Sequence, residues 1–191
     1  MILPMDNEYI PLVTPPDDRT EPALWFAFRR SEILVVNGAE RPAMPSCVDL
    51  GEHGLAPSRS HYLGLLGNQH CYAVEIPEEQ TLPVGWAALG LRDLFGLVET
   101  TLAALSGRAY QLLEWERNHQ YCSRCGTPTA PRGDERARSC PACGYRTYPP
   151  VSPAVMILVT HQGKLLLARK PIWPDGRYSA VAGFVELALQ R

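Results

Sequence analysis

Short apolar blocks, separated by turn-forming residues, fill the first half of the chain. LWFAFRRSEILVV (Leu24–Val36) predicts two strands or one bent strand, and HYLGLLGNQHCYAVEI (His61–Ile76) predicts a hairpin that turns at Gly67-Asn68. Helical spacing follows, because apolar residues recur three or four positions apart; they are Leu91, Leu94, Leu97, Val98, Leu102 and Leu105. SGRAYQLLEWERNH predicts a second helix that is capped by Ser106 and has one side formed by Ala109, Leu112, Leu113 and Glu116.

The last segment has the pattern of a further small sheet. VSPAVMILVT (Val151–Thr160) and KLLLARK (Lys164–Lys170) flank a turn, and PDGRYSAVAGFVE adds a turn at Asp175-Gly176 and a strand that runs into Gly183. Three strands in so short a segment make a weak independent core, so we expect the opening of a domain. The sequence therefore predicts an α+β protein with a β-rich domain ending in helices (1–118), a cysteine-rich insert (119–148) and a third piece (149–191).

Composition narrows the class of protein. The chain has 191 residues, 46% of them hydrophobic and 20% charged, which is typical of a globular protein with a buried core. A net charge of −2 gives no electrostatic reason to expect tight binding of nucleic acid or an anionic membrane. No apolar run approaches the ~20 residues that span a bilayer, and the N-terminus lacks the pattern of a signal peptide. We therefore expect a cytoplasmic protein whose cysteines bind metal rather than form disulfides.

Two CxxC pairs carry the strongest chemical signal. Cys122 and Cys125 form the first pair, Cys140 and Cys143 the second, and fourteen residues separate the pairs. Each CxxC turn aims two thiolates at one point, and four sulfurs complete a tetrahedron that suits Zn²⁺ without an open position for water. The spacing predicts a structural zinc site in preference to a redox pair or unrelated buried thiols.

The remaining cysteines and histidines have no such pattern. Cys47 and Cys71 lie far from the cluster, and isolated cysteines are most often buried apolar residues. His119 precedes Cys122 by three residues, but four thiolates fill the coordination shell, so we predict a histidine at a helix end. The charges Arg132, Arg136, Arg138, Asp134 and Glu135 between the cysteine pairs predict a solvated face.

From Gly107 to Glu186 the chain resembles the NADH pyrophosphatase branch of the Nudix hydrolases, also described as NAD-capped RNA decapping enzymes. The resemblance lies in YCSRCG, CPACGYRTYPPVSPAVMILV, LLLAR and YSAVAGFVE, and LRDLF and WERNHQYC also fit. It implies a β-rich N-terminal domain, a four-cysteine zinc ribbon and the opening strands of a Nudix α/β/α domain. It also implies cleavage of NAD(H) to nicotinamide mononucleotide and AMP with Mg²⁺ or Mn²⁺, and a homodimer.

The Nudix box of that family has the form Gly-x5-Glu-x7-Arg-Glu-hydrophobic-x-Glu-Glu-x-Gly-hydrophobic. Gly183 matches its glycine, but Leu189 stands where the first glutamate belongs, and Glu186 precedes the box positions. Hard divalent cations need such oxygen ligands. We therefore expect a chain truncated before most of the box, with no catalytic carboxylates and little hydrolysis of its own.

The resemblance assigns the substrate-facing residues one by one. Glu135, Tyr148 and Arg92 match substrate contacts of the family, Phe184 would stack on a base or the nicotinamide ring, and the Ala182 carbonyl would bind a divalent metal. Each contact residue also has a plain structural interpretation: Tyr148 and Phe184 as core aromatics, Glu135 as a loop charge, and Arg92 as a cation on a helix surface.

Two other functions stay open at this point. The chain could be a zinc-ribbon module that binds a nucleotide or RNA without cleaving it. It could also be a remnant without function that arose from a frameshift or a premature stop, which the departure of LALQR from the family pattern would explain.

Overall fold

The computed structural model describes residues 9–186, which divide into two compact units, one ending at Pro149 and the other beginning at Pro150. The predicted α+β class is confirmed, since a sheet-rich unit carries one α-helix. The strands of the first unit are β1 (Tyr9–Pro11), β2 (Ala23–Arg29), β3 (Glu32–Val36), β4 (Ser46–Cys47), β5 (Arg59–Leu66), β6 (Gln69–Glu75), β7 (Trp86–Gly90), β8 (Ala130–Pro131), β9 (Arg138–Ser139) and β10 (Arg146–Thr147). Its helices are a 3-10 helix (Leu50–His53) and α1 (Thr100–Asn118), and the second unit contains β11 (Ala154–Ile157), β12 (Thr160–His161), β13 (Lys164–Leu165) and β14 (Val181–Phe184).

A seven-stranded mixed sheet forms the body of the first unit. Its strand order is β1-β5-β6-β2-β3-β7, with β4 paired to β2, and only β2 and β6 run parallel. Both faces of the central strands are covered. Phe26 and Phe28 lie in the core that α1 covers, whereas Trp25 and Ala27 lie in a second core with the 3-10 helix residue Leu50. Burial on both faces explains why LWFAF is continuously apolar instead of alternating with polar residues.

The hairpin predicted for His61–Ile76 is confirmed, and of the two alternatives for Leu24–Val36 the two strands are observed. Leu24–Val36 forms two antiparallel strands, and β5 and β6 turn at Gly67-Asn68. The predicted pair of helices is wrong, because residues 91–98 form turns and one helix runs from Thr100 to Asn118. Gly96 has a left-handed φ of 83°, which a continuous α-helix excludes. Leu94 nevertheless packs in the same core as α1, so its helical spacing reflects burial of a turn.

Ser106 is the second correction to the helix prediction. It does not cap a helix but lies inside α1, where its Oγ donates to the carbonyl of Leu102 at 2.8 Å. A serine in mid-helix can satisfy its hydroxyl on the preceding turn in this way. The capping signal was therefore misleading because the helix begins earlier, at Thr100.

A β-bulge in β5 fixes the position of the neighbouring chain. The pairing of β5 with β6 shifts register between Tyr62 and Gly64, which leaves Leu63 as the extra residue. The freed carbonyl of Leu63 accepts hydrogen bonds from the Tyr9 hydroxyl at 2.6 Å and from the amide of Leu12 at 3.2 Å. Gly64 has a φ of 123°, and a Cβ there would overlap the backbone of Ile10 and Leu12.

The second unit consists of two strand pairs. β11 pairs antiparallel with β14, and β12 pairs with β13 across a turn at Gln162-Gly163, where both residues have positive φ. This confirms the predicted turn between Val151–Thr160 and Lys164–Lys170. No side chain of residues 150–186 is buried in this unit. Within residues 9–186, no helix has the length and apolar character needed to cross a membrane.

We predict that Gly64→Ala destabilises the first unit by about 3 kcal/mol or more, because it combines an unfavourable φ with a backbone overlap. Gly85→Ala is the matched control, since Gly85 also has a positive φ of 82° but has open space where a Cβ would lie. It should cost about 1 kcal/mol. Urea unfolding at saturating zinc measures both, and equal losses would contradict the assigned overlap.

Candidate metal centre and substrate site

Two matching turns present the four cysteines. In the first, the amide of Gly126 donates to Cys122 O at 2.8 Å; in the second, Gly144 donates to Cys140 O at 3.0 Å. Both glycines are left-handed, with φ of 76° and 70°, which lets the chain reverse directly after the second thiol of each pair. The short strands β8, β9 and β10 form a three-stranded sheet that connects the two turns.

The four sulfur atoms have the spacing of a zinc tetrahedron. All four lie within 4.8 Å of one another, and three of the Sγ–Sγ distances are 3.5, 3.6 and 3.6 Å. Zn–S bonds of about 2.3 Å in a tetrahedron place the sulfurs about 3.8 Å apart, so the donor set fits Zn²⁺. Hydrogen bonding to the side chain and backbone of Thr127 lowers the pKa of Cys125, which favours the thiolate that a metal requires.

A buried ion pair attaches the cysteine turns to the sheet domain. Arg138 is only 8% exposed, and its guanidinium donates to Glu116 Oε1, to Thr129 Oγ1 and to the carbonyl of Thr129, each at 2.8 Å. On its other oxygen, Glu116 lies 2.8 Å from His61 Nε2, although that N–H is not aligned for a hydrogen bond. Glu116 thus joins β9, α1 and β5 at one point.

The environment of Glu116 favours its charged form. Its contact with His61 is the largest influence, and the charges of Arg138 and Arg59 act in the same direction, whereas burial opposes them. The result is a carboxyl pKa below the ordinary value of 4.5. Glu116 therefore stays ionised at neutral pH and keeps the pair intact.

The predicted solvated face between the cysteine pairs is wrong for two of its arginines. Arg138 is buried, and Arg136 is half-buried and donates to the carbonyls of Leu12 and Tyr62 at 2.9 and 3.0 Å. The signal that could have revealed this was Glu116, a carboxylate on the apolar side of a helix pattern. Such a position implies a buried partner of opposite charge.

Glu135 and Tyr148 lie next to each other on the ribbon. The Tyr148 hydroxyl lies 3.3 and 3.4 Å from the two carboxylate oxygens of Glu135, and its side chain is half exposed. Glu135 is also held by Arg132 Nε at 2.8 Å and approached by Arg146 at 3.7 Å. A charged, solvent-facing acceptor beside an aromatic ring can contact the hydroxyl or amide groups of a nucleotide.

The other residues of the expected site lie elsewhere in sequence and structure. Arg92 is exposed in the turn between β7 and α1, not on a helix. Ala182 and Phe184 belong to β14 of the second unit, where Phe184 is 76% exposed, so it is not a core aromatic. Leu189 lies outside the described residues.

The predictions for the remaining cysteines and for His119 are confirmed. Cys47 and Cys71 are buried, and burial raises the pKa of Cys71 to about 11, which makes it an unreactive thiol. His119 ends α1, and its Nδ1 lies 2.7 Å from the carbonyl of Trp115.

Most of the first unit matches models of known protein families. Residues 22–115 match the NADH pyrophosphatase-like rudimentary NUDIX domain, and residues 117–148 match the NADH pyrophosphatase zinc ribbon domain. Together the two matches cover about two thirds of the chain. The chain belongs to the NADH pyrophosphatase branch of the Nudix family, and its cysteine cluster is the structural zinc site of a zinc ribbon.

Curated relatives agree with this assignment. A protein of Deinococcus radiodurans named NAD-capped RNA hydrolase NudC is 36% identical over 168 residues, which is 86% of this chain and 56% of the relative. A protein of the same name from Chromobacterium violaceum is 34% identical, over 86% of this chain and 59% of the relative. One from Stutzerimonas stutzeri is 45% identical over half of this chain. The chain thus spans a little over half the length of the first two relatives.

We predict that the purified chain contains about one zinc ion and that Cys140→Ser loses it, because three thiolates leave the tetrahedron open. Strong chelation should unfold the ribbon, since zinc binding contributes on the order of 10 kcal/mol to the folding of such units. Metal analysis and circular dichroism measure both effects. Cys47→Ser, at a buried cysteine outside the cluster, should keep its zinc, and equal zinc content in wild type and Cys140→Ser would contradict the site.

We predict that Glu116→Gln lowers the free energy of unfolding at pH 7 by at least about 2 kcal/mol, because Arg138 then keeps a buried charge without a carboxylate. Because the pKa of Glu116 in the folded protein lies below its ordinary value of 4.5, ionisation of Glu116 stabilises the fold above pH 4.5. This stabilisation is lost as the pH falls through the pKa of Glu116 in the folded protein. The variant should therefore lose less stability than wild type on acidification below pH 4.5. Denaturant unfolding at several pH values tests this.

Glu114→Gln is the control for the Glu116 variant. Glu114 lies on the same helix and pairs with Arg117 at a more exposed position. Its replacement should change stability by less than about 0.5 kcal/mol. Parallel acid profiles for wild type and Glu116→Gln would overturn the role assigned to the Glu116 carboxylate.

Proposed function

We propose that this protein binds NAD(H) and takes part in hydrolysis of its pyrophosphate, which gives nicotinamide mononucleotide and AMP. NAD-capped RNA is proposed as a second substrate of the same chemistry. The observation that carries the proposal is the Glu135–Tyr148 contact on a ribbon of the NADH pyrophosphatase type. The names of the relatives from Deinococcus radiodurans and Chromobacterium violaceum support the NAD cap as a substrate.

The proposed contacts divide by chemistry. Glu135 accepts hydrogen bonds from ribose hydroxyl or amide groups, and Tyr148 supplies its ring edge and hydroxyl beside it. The exposed ring of Phe184 stacks on a base or on the nicotinamide, a contact that every aromatic heterocycle can make. Arg92 faces solvent and can approach a phosphate.

Hydrolysis makes a further demand. Mg²⁺ or Mn²⁺ neutralises the phosphates and activates water in this class, and the Ala182 carbonyl is proposed as one ligand. Divalent ions of this kind bind mainly to carboxylates. This sequence has one carboxylate after Gly183, which is Glu186. We therefore propose that the 191-residue chain binds the dinucleotide but cleaves it slowly.

The closed zinc site supports a second candidate function. A zinc ribbon with all four ligands from protein has no open position for a reactive water, so it supports binding without cleavage.

We also propose an organisation in three parts, which are residues 1–118, 119–148 and 149–191. We propose a cytoplasmic location, in which the cysteines stay reduced, and a homodimer.

We predict that the zinc-loaded chain binds NAD+ measurably by calorimetry and that Tyr148→Phe or Glu135→Gln weakens binding about tenfold, as expected for a lost hydrogen bond to a charged group. Phe184→Ala should weaken it by a similar factor through lost stacking. With Mn²⁺, release of nicotinamide mononucleotide should be at least about 100-fold slower than for the Deinococcus radiodurans relative, because few metal ligands are present.

Matched variants separate these contacts from general effects. Tyr121→Phe changes another ribbon tyrosine, which is more exposed than Tyr148, Asp134→Asn changes the neighbouring carboxylate, and Tyr178→Ala removes an exposed ring of the second unit. All three should bind NAD+ like wild type. Absence of NAD+ binding would overturn the proposed function, and turnover close to that of the relative would overturn the predicted slow cleavage.

A further inference from the structure

A cavity of about 220 Å³ lies in the first unit, between β5, the end of α1 and the loop that joins the two cysteine pairs. We call it the hairpin–ribbon cavity. The charged side chains that line it are Glu116, Arg132, Glu135, Arg136 and Arg138, and His61 and Trp115 line it as well. It is separate from the cysteine tetrahedron, none of whose ligands lines it. Its volume equals that of about seven liquid waters, which is enough for a phosphate group and the atoms attached to it.

The charges that line the cavity do not balance. Three arginines face two carboxylates, Glu116 and Glu135, which leaves one positive charge when His61 is neutral. Arg138 pairs with Glu116, and Arg132 pairs with Glu135 and Asp134. Among the described residues, Arg136 has no carboxylate partner and donates only to two backbone carbonyls. Burial and the nearby charge of Arg108 lower the pKa of Arg136, which means that its charged guanidinium is disfavoured there. A bound anion would stabilise that charge.

Trp115 lines the same cavity and carries an unused donor. Trp115 is only 4% exposed, and its Nε1–H has no acceptor among the described residues. Buried donors without an acceptor are rare, because each costs about 1–3 kcal/mol. An ordered water would satisfy the indole but would leave the Arg136 charge uncompensated. A ligand with several anionic oxygens satisfies both.

We propose that the hairpin–ribbon cavity is an anion site for a phosphate group, held by the guanidinium of Arg136 and the indole N–H of Trp115. A guanidinium presents a fork of N–H donors that matches phosphate oxygens, and a phosphate has further oxygens for the indole. The ligand is inorganic phosphate or a nucleotide monophosphate. The choice of phosphate over carboxylate rests on the proposed function, whose two products are phosphate monoesters.

Indole resonances provide a direct test. The chain has four tryptophans, so ¹⁵N-labelled zinc-loaded protein gives four indole signals, and Trp115→Phe identifies the one from the cavity. At constant ionic strength, phosphate and AMP should shift that signal saturably, whereas adenosine and acetate should not. Saturation by AMP at a much lower concentration than by phosphate identifies the nucleotide as the ligand, and equal affinities identify free phosphate.

Variants tie the shift to the site. Arg136→Gln should weaken phosphate binding about tenfold or more, because the charged fork is lost. Arg124→Gln is the control, since Arg124 lies over the Tyr145 ring and does not line the cavity. Both proteins should keep their zinc and four dispersed indole signals. If Arg136→Gln does not fold, Arg136→Lys takes its place, and weaker phosphate binding is again expected because an ammonium lacks the fork.

Several results would overturn the site. The first is the absence of a saturable shift of the Trp115 signal at about 10 mM phosphate, a concentration at which a Kd near 1 mM is still detected. The others are an equal response to adenosine and an unchanged phosphate affinity in the Arg136 variant. None of these measurements involves cleavage of NAD(H) or the contacts of Tyr148 and Phe184, and Glu135, which lines the cavity, is unchanged in every variant. A failed phosphate titration therefore removes this site and leaves the proposed function standing, whereas absent NAD+ binding removes the latter alone.

Discussion

The buried ion pair between Arg138 and Glu116 fixes strand β9 of the ribbon on the sheet domain, and the seating of the ribbon depends on it. Arg138 lies two residues before Cys140, so the metal and the ion pair constrain the same short strand. All three of its guanidinium nitrogens have acceptors, which is the condition under which a buried charge is tolerated. Loss of either partner leaves an uncompensated charge at a cost of about 3–5 kcal/mol. The contact of Glu116 with His61 extends this constraint to β5.

The bulge in β5 supplies the second attachment of the ribbon. Leu63, the extra residue, accepts from Tyr9 through its carbonyl, and the carbonyl of the adjacent Tyr62 accepts from Arg136. The bulge also lies where β1 closely approaches Gly64. Because the neighbouring strand and the ribbon use adjacent carbonyls, the sheet edge and the metal-binding loop are mechanically linked.

The sequence predicted features that depend on local spacing and missed those that depend on distant partners. Two CxxC turns predicted the tetrahedron because each turn closes within four residues and needs no information from elsewhere. The hairpin at Gly67-Asn68 was predictable for the same reason. The apolar residues from Leu91 to Val98 led to the wrong prediction of a helix. Turns that bury side chains in one core can place apolar residues three or four positions apart, as helices do. The burial of Arg138 was not visible in its own loop, since its partner lies 22 residues earlier.

Under the proposed function, the residues assigned to the nucleotide would contribute to affinity in different ways. Glu135 and Tyr148 belong to the first unit, where the zinc tetrahedron and the Arg138 pair fix the backbone before any ligand binds. Binding to such preorganised groups costs little conformational entropy. Phe184 belongs to a unit in which no described residue is buried, so its ring is exposed to water. The free energy that it contributes to binding comes mainly from the apolar surface that the ligand and the ring remove from water. In this proposal, Glu135 and Tyr148 provide specificity through fixed hydrogen-bond geometry, whereas the contribution of Phe184 scales with the apolar area that the ligand covers.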